Sequence, residues 1–183
     1  MPDEDFSLYW DEDDDFGLDN EPVFDEHVYP EYLFDVPYVP TSPELVDAML
    51  RFAGTGPGDV VYDLGCGDGR IAIAAAEKFG ARAVGIEIDE HLIAEARSNA
   101  ALADTEGRVR FVHADFHEAH IADATVVAIY LLPEVNLLLK PRFLQELRPG
   151  TRIVSNYFGM GEEWPADRTT RVGQDLIQLW RVP

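Results

Sequence analysis

Short apolar runs alternate along most of this chain with segments whose apolar residues recur at helical spacing. The runs predict buried strands at 60–64, 82–88, 108–114, 125–131, 151–158 and 175–182, with 168–172 as the hairpin partner of the last strand. The intervening segments predict helices at about 43–53, 71–79, 90–103 and 134–147. Apolar strands that alternate with helices are typical of a doubly wound α/β domain with a buried, mostly parallel sheet.

Particular residues define the helix ends and faces. In the first helix, Thr41 or Ser42 can cap the amino end and Gly54 can close the carboxyl end. Its predicted apolar stripe consists of Leu45, Ala48, Met49 and Phe52. The helix after the first strand is predicted to face the sheet with Ile71, Ala74, Ala75 and Phe79.

The amino-terminal part differs in composition from the rest of the chain. Residues 1–40 hold 14 acidic residues and no Lys or Arg, and aromatic residues are interleaved with the acids without a helical or strand period. The remainder holds 21 acidic and 14 basic residues. We therefore predict an acidic tail over residues 1–35, either disordered or docked, and one domain over residues 36–183.

Charge and composition exclude several classes of function. The formal net charge of −21 disfavours nucleic acid as a partner and favours a basic one. No apolar run approaches the length of a membrane span, and no secretory signal is visible, so we expect no membrane partner. The single cysteine excludes an internal disulfide. These features together predict a cytoplasmic protein.

A glycine-rich turn follows the first strand in the stretch "VYDLGCGDGR". A buried strand, a glycine turn and a helix form the ligand-binding corner of doubly wound sheets. The spacing here is G-x-G-x-G, which differs from the G-x-G-x-x-G of dinucleotide-binding proteins. Asp63 also precedes the first glycine by two positions, where an acid suits an ammonium group better than a pyrophosphate.

Carboxylates follow three successive predicted strands. Glu87 ends the second strand, where it can accept hydrogen bonds from ribose hydroxyls, and Asp115 follows the third, where it can accept from the exocyclic amine of a base. Because the carboxyl ends of parallel strands meet at one edge, Asp63, Glu87 and Asp115 are expected to line one site. The implied ligand has an amino acid end, a ribose and an adenine, and no phosphate.

The motifs "VYDLGCGDGR", "AVGIEID" and "VHADF" resemble those of class I S-adenosylmethionine-dependent methyltransferases over roughly residues 36–183. The resemblance implies a Rossmann-like, seven-stranded sheet whose last strand is antiparallel. It also implies S-adenosylmethionine as cofactor and S-adenosylhomocysteine as product. The cofactor residues carried over by position are Asp63, Gly65, Cys66, Gly67, Glu87, Ile88, Asp115, Phe116 and Tyr130.

In that assignment each part of the cofactor has its own residues. Asp63 and the glycine turn would line the methionine portion, and Glu87 would hold the ribose. Ile88 would lie against the adenine, while Asp115 and Phe116 would contact its edge.

A narrower resemblance concerns the acceptor. The stretches "YVPTSPELVDAML" and "YLLPEVNLLLKPRFLQELRPGTRIVS" are similar to a group of small class I methyltransferases. That group includes prokaryotic proteins of unassigned substrate and mitochondrial protein-lysine methyltransferases. We expect this chain to lack the membrane anchor of the eukaryotic members, which disfavours a membrane protein as substrate. The resemblance, together with the acidic charge, favours a lysine in a basic protein as the methyl acceptor.

The loop after the fourth strand reads Leu131-Leu132-Pro133. Methyltransferases that act on nucleobase or amide nitrogens carry Asn or Asp, Pro, Pro and an aromatic residue there, so such acceptors are disfavoured. Candidate substrate-binding residues are Tyr38, Thr41, Glu134 and Asn136, and Tyr130 also lies in this region. One alternative is a small-metabolite methyltransferase, and the other is a non-catalytic S-adenosylmethionine-binding module. Turnover to S-adenosylhomocysteine would distinguish the binding module from either enzyme.

The remaining potentially reactive residues are assigned neither a catalytic nor a metal-binding role. Cys66 is interpreted as a small residue that packs beneath the cofactor, since no base partner is evident for a nucleophile. His113, His117 and His120 match no zinc spacing, so no metal site is predicted.

Overall fold

The computed structural model describes residues 39–105 and 107–183. Its helices are α1 (Pro43–Ala53), α2 (Arg70–Phe79), α3 (Glu90–Leu102) and α4 (Pro133–Glu146). Its strands are β1 (Val60–Leu64), β2 (Arg82–Glu87), β3 (Val109–His113), β4 (Val126–Ile129), β5 (Arg152–Asn156), β6 (Arg168–Val172) and β7 (Asp175–Arg181). None of the helices in this part of the chain is long and apolar enough to cross a membrane.

The strands form one seven-stranded sheet in the order β3-β2-β1-β4-β5-β7-β6. Neighbours from β3 to β5 are parallel, whereas β7 runs antiparallel to both β5 and β6. The predicted fold class and the antiparallel last strand are therefore confirmed. Strand order reverses between β1 and β4, and ligands of doubly wound sheets bind at the carboxyl edge beside such a reversal.

Each face of the sheet is covered by its own hydrophobic core. Val61 of β1 belongs to the core that α1, α2 and α3 cover. Tyr62 and Leu64, which point to the opposite face, belong to the core that α4 covers. Both faces of β1 are thus buried, which explains why its sequence is continuously apolar except for Asp63.

The first helix begins and ends as predicted but buries a rotated face. Ser42 caps it by accepting a hydrogen bond from the Leu45 amide, and Gly54 closes it with a φ of 68°. The expected stripe was partly wrong, because Ala48 and Phe52 are only half buried. The buried residues are Leu45, Val46, Met49, Leu50 and Ala53.

Phe52 lies beside a charged group of the edge strand β6. The guanidinium of Arg168 lies 4.6 Å from the centroid of its ring. The helix packs on β5, α2 and β7, so the face turned to these elements decides which of its residues are buried.

Two strands, β4 and β5, each end two residues earlier than their apolar runs predicted. β4 ends at Ile129 and β5 at Asn156, so Tyr130 and Tyr157 lie outside the sheet. Ile129 is paired with Ser155, which places the ends of the two strands side by side. The apolar residues beyond these ends are therefore available to form the wall of a cavity.

Candidate active site

The turn between β1 and α2 has a conformation that favours glycine. Gly65 and Gly67 have φ values of 73° and 54°. The amides of Gly65 and Cys66 both donate to the carbonyl of Ile86, at 2.9 and 3.0 Å. A Cβ atom on Gly65 would lie 3.1 Å from Cδ2 of Leu131. The missing side chain therefore keeps space open between the turn and the residues after β4.

Glu87 ties this turn to the end of β2. Its carboxylate accepts hydrogen bonds from the amides of Gly67 at 3.0 Å, Ile88 at 2.8 Å and Asp89 at 3.1 Å. The residue is only 9% exposed. The carboxylate predicted to hold the ribose is thus fixed in position by the backbone.

Asp63 is a buried carboxylate at the same edge, only 2% exposed. Its Oδ2 atom has no hydrogen-bond partner among the described residues. Burial, followed by the negative charge of Glu87, raises the pKa of Asp63 to about 8. A buried carboxylate with an unpaired oxygen fits a positively charged donor such as the ammonium group of an amino acid.

Asp115 is held differently, in the loop after β3. Its Oδ1 atom accepts hydrogen bonds from the His117 amide at 2.8 Å and from Nδ1 of the same residue at 2.9 Å. Burial alone would raise the pKa of Asp115, but the hydrogen bonds from His117 and the nearby charge of Arg142 lower it. Arg142 also donates to the carbonyls of Phe116 and Ala119, at 2.8 and 2.7 Å. The loop is therefore held rigidly from α4.

These groups surround one cavity of about 450 Å³, a size ordinary for a cofactor site. The predicted residues in its wall are Thr41, Asp63, Gly65, Cys66, Glu87, Ile88, Asp115, Phe116 and Tyr130. Gly67, the other predicted residue of the turn, does not line the cavity, and its amide donates to Glu87. The wall combines acids at the predicted methionine, ribose and base positions with apolar Ile88 and Phe116. The described residues thus fit S-adenosylmethionine.

The sequence did not predict every residue of the wall. The additional lining residues are Val39, Arg70, Ile71, Asp89, Leu92, His117, Leu131, Leu132, Val135 and Phe158. Asp89 and Leu131 are each the second residue after a strand, a position that would have identified them. Phe158 was predicted to belong to β5, so its contribution was hidden by the misplaced strand end.

Arg70 connects the segment before α1 to the glycine turn. It donates to the carbonyl of Thr41 at 2.7 Å and forms a salt bridge of 2.5 Å with Asp68. This contact explains why Thr41, distant in sequence, lies at the cavity. Tyr38, the other candidate from this segment, lies outside the described residues.

Two further substrate candidates do not reach the cavity. Asn136 is completely buried, and its amide donates to the carbonyls of Phe158 at 3.2 Å and Gly159 at 3.5 Å. The prediction of direct substrate contact is therefore corrected for Asn136, which supports the loop after β5. Glu134 is exposed on the first turn of α4 and does not line the cavity.

Cys66 is packed rather than poised for attack. Burial, followed by the charges of Asp63 and Glu87, raises the pKa of its thiol, which keeps it protonated. A Cβ atom on Gly85 would lie 2.8 Å from the sulfur of Cys66, so the thiol packs closely against this glycine of β2. Within residues 39–105 and 107–183, no group of three or more His, Cys, Asp or Glu side chains is placed to hold a metal ion.

The fold and the cavity together define a Rossmann-like S-adenosylmethionine-dependent methyltransferase. Comparison with known proteins agrees. Residues 63–168 match the family described as the ANTKMT methyltransferase domain. Since this match covers more than half of the chain, the protein belongs to that family. The predicted family and cofactor are confirmed.

Two similar proteins are named as lysine methyltransferases. The chain is 48% identical to a protein-lysine N-methyltransferase of Saccharolobus islandicus, over 69% of this chain and 80% of the relative. It is 33% identical to the mouse adenine nucleotide translocase lysine N-methyltransferase, over 79% of this chain but only 62% of the mouse protein.

A solved structure is similar as well. It is described as an RNA methyltransferase from Salinibacter ruber in complex with S-adenosylhomocysteine. It shares 49% identity with this chain and has a TM-score of 0.78, covering 79% of this chain and 94% of that one.

Proposed function

We propose that this enzyme transfers a methyl group to the ε-amine of a lysine in a basic protein. The observation that carries the proposal is the wall on the acceptor side of the cavity. It consists of Leu131, Leu132, Val135 and Phe158, with the partly exposed Tyr130 beside them. These side chains can pack along the methylenes of a lysine, whereas a planar base amine would need hydrogen-bonding groups there.

Methyl transfer of this kind requires that the reacting groups be correctly oriented and that water be excluded from the active site. Bound S-adenosylmethionine supplies a methyl group on a positively charged sulfur and leaves as S-adenosylhomocysteine. The apolar side chains after β4 exclude water and lower the pKa of an entering lysine, while Asp63 and the other carboxylates raise it. The amine attacks after its proton has passed to solvent, and the second proton leaves once the nitrogen carries the methyl group.

Charge also supports a protein acceptor. The chain carries a net charge of −21, and residues 41–183 alone hold 21 acidic and 14 basic residues. The cavity wall includes Asp89 and Asp115 in addition to Asp63 and Glu87. Such a surface attracts a basic protein and repels the phosphates of a nucleic acid.

RNA is the second candidate acceptor, favoured by the described activity of the Salinibacter ruber relative. A small metabolite is the remaining alternative.

Location in the cytoplasm and the separation of residues 1–35 from the domain stay predictions.

Partition of the methyl label tests these alternatives. The enzyme is incubated with tritiated S-adenosylmethionine and a cell extract, and aliquots are treated with ribonuclease or with protease before acid precipitation. We expect protease, but not ribonuclease, to remove the precipitable label. Loss of the label on ribonuclease treatment would establish RNA as the acceptor. Label found only in the acid-soluble fraction of untreated samples would indicate a metabolite.

A further inference from the structure

A strained residue lies immediately after β5, beside the cavity. Tyr157 has a φ of 67°, in the left-handed region that a bulky side chain rarely adopts. Its side chain is also exposed, with 55% of the residue accessible, so burial of the ring does not offset the backbone cost. A glycine would adopt this conformation without strain. The tyrosine ring is therefore kept at a cost to the fold.

Hydrogen bonds impose this conformation from several sides. The Tyr157 amide donates to the carbonyl of Leu176 at 2.6 Å, and its own carbonyl accepts from Nε2 of Gln178 at 3.1 Å. The next carbonyl, that of Phe158, accepts from Oγ of Ser155 at 2.6 Å. Buried Asn136 donates to the same carbonyl from α4. Backbone strain that surrounding structure enforces in this way is concentrated at functional sites.

The ring of Tyr157 packs against the ring of a residue in the cavity wall. Its centroid lies 5.0 Å from that of Phe158 in an edge-to-face arrangement, and Phe158 lines the cavity. Tyr130, which is 37% exposed and also lines the cavity, leaves the neighbouring strand β4 at the same edge. Two partly exposed tyrosines thus follow adjacent strands, next to the apolar wall.

We propose that Tyr157 is a specificity-determining residue of the acceptor site, whose ring packs against the side chain of the incoming lysine. The inference rests on the proposed lysine acceptor and names the surface that would receive it. An aromatic face attracts an ammonium group and covers the methylenes behind it. Asn136 then acts as a positioning residue, since it fixes the loop that carries this ring.

The test compares two substitutions that remove the same kind of backbone strain. Tyr157→Gly removes the ring, and Asp104→Gly is the matched control, because Asp104 has a φ of 52° and does not line the cavity. The probe is a fluorescent peptide library with a central lysine and randomised, basic flanking positions. Its binding to enzyme saturated with S-adenosylhomocysteine is followed by polarisation, and its methylation by incorporated label.

Both variants should unfold at the wild-type temperature or above it, and both should bind S-adenosylhomocysteine as the wild type does. Tyr157→Gly should weaken peptide binding and raise KM by about tenfold, whereas Asp104→Gly should change neither and Tyr157→Phe should retain most of the affinity. Wild-type affinity in a folded Tyr157→Gly variant would overturn the inference while leaving the proposed function intact. If the wild type methylates RNA or a metabolite and no lysine peptide, the proposed function fails, and this inference fails with it.

Discussion

Asp63 is predicted to release a proton when the ammonium group of the cofactor binds beside it. Its pKa in the free enzyme is about 8, because the carboxyl is buried and faces the charge of Glu87. At pH 6.5 about 97% of the enzyme molecules therefore carry a proton on Asp63. An ammonium group next to Oδ2 favours the charged carboxylate and lowers this pKa. Binding should then release about one proton per ligand.

The size of the pH effect on affinity follows from the difference between the working pH and the pKa of Asp63. Removing the proton costs about 1.4 kcal/mol for each pH unit below 8, so affinity for S-adenosylhomocysteine should rise about tenfold per unit between roughly pH 5 and 7. The contribution of Asp63 to folding stability changes with pH in the opposite direction from its contribution to ligand affinity. Because the folded state raises the pKa from 3.8 to about 8, the stability that Asp63 contributes is full below pH 4 and is lost as the pH rises through 8.

Calorimetry measures both consequences. Titration of S-adenosylhomocysteine in phosphate and in imidazole buffer at pH 6.5 should give binding enthalpies that differ by about the difference between the protonation enthalpies of the two buffers. Asp63→Asn, which cannot titrate, should remove this difference and the steep rise of affinity with pH. Equal enthalpies in the two buffers for the wild type would refute the assignment of Asp63 to the ammonium group.

Separate tests address the role of Glu87 at the ribose, the packing beneath the glycine turn and the amino-terminal segment. Glu87→Ala should lower affinity for S-adenosylhomocysteine by one to two decades, about the loss of one or two charged hydrogen bonds, and unchanged affinity in calorimetry would contradict the ribose assignment. Gly85→Ala places a Cβ atom 2.6 Å from Phe111 and should destabilise the fold by about 1–3 kcal/mol in urea unfolding. Gly56→Ala, which meets nothing within 4 Å, should not, and equal effects would disprove the packing argument. A chain beginning at Glu31 should fold and bind ligand like the full chain, and an insoluble product would place the removed segment in the domain.

The fold and the carboxylate cluster could be predicted because both depend on local patterns. Apolar runs bounded by glycines and caps predicted the strands and helices, and the parallel arrangement brings their carboxyl ends to one edge. Asp63, Glu87 and Asp115 each lie within two residues of the carboxyl end of a parallel strand, so their common location follows from topology alone. The partial error at α1 arose because helical periodicity cannot tell which of two adjacent stripes meets β5 and β7.

What the sequence did not reveal depends on contacts between distant segments. Asn136 looked like an acceptor ligand because of its place after β4, but its partner is the Phe158 carbonyl, which lies 22 residues further along. The strain at Tyr157 is imposed by Leu176 and Gln178 on β7, and tyrosine itself gives no sign of a positive φ. Hydrogen bonds of this kind are visible only once the strands are assembled.

The lysine acceptor is the central claim, and the identity of the methylated atom tests it most directly. Protein labelled by the enzyme with tritiated S-adenosylmethionine is hydrolysed to amino acids, and the labelled product is identified by chromatography and mass spectrometry. The account predicts that the label elutes as Nε-methylated lysine. Label recovered in a methylated nucleoside, in another amino acid or in a small metabolite would contradict it.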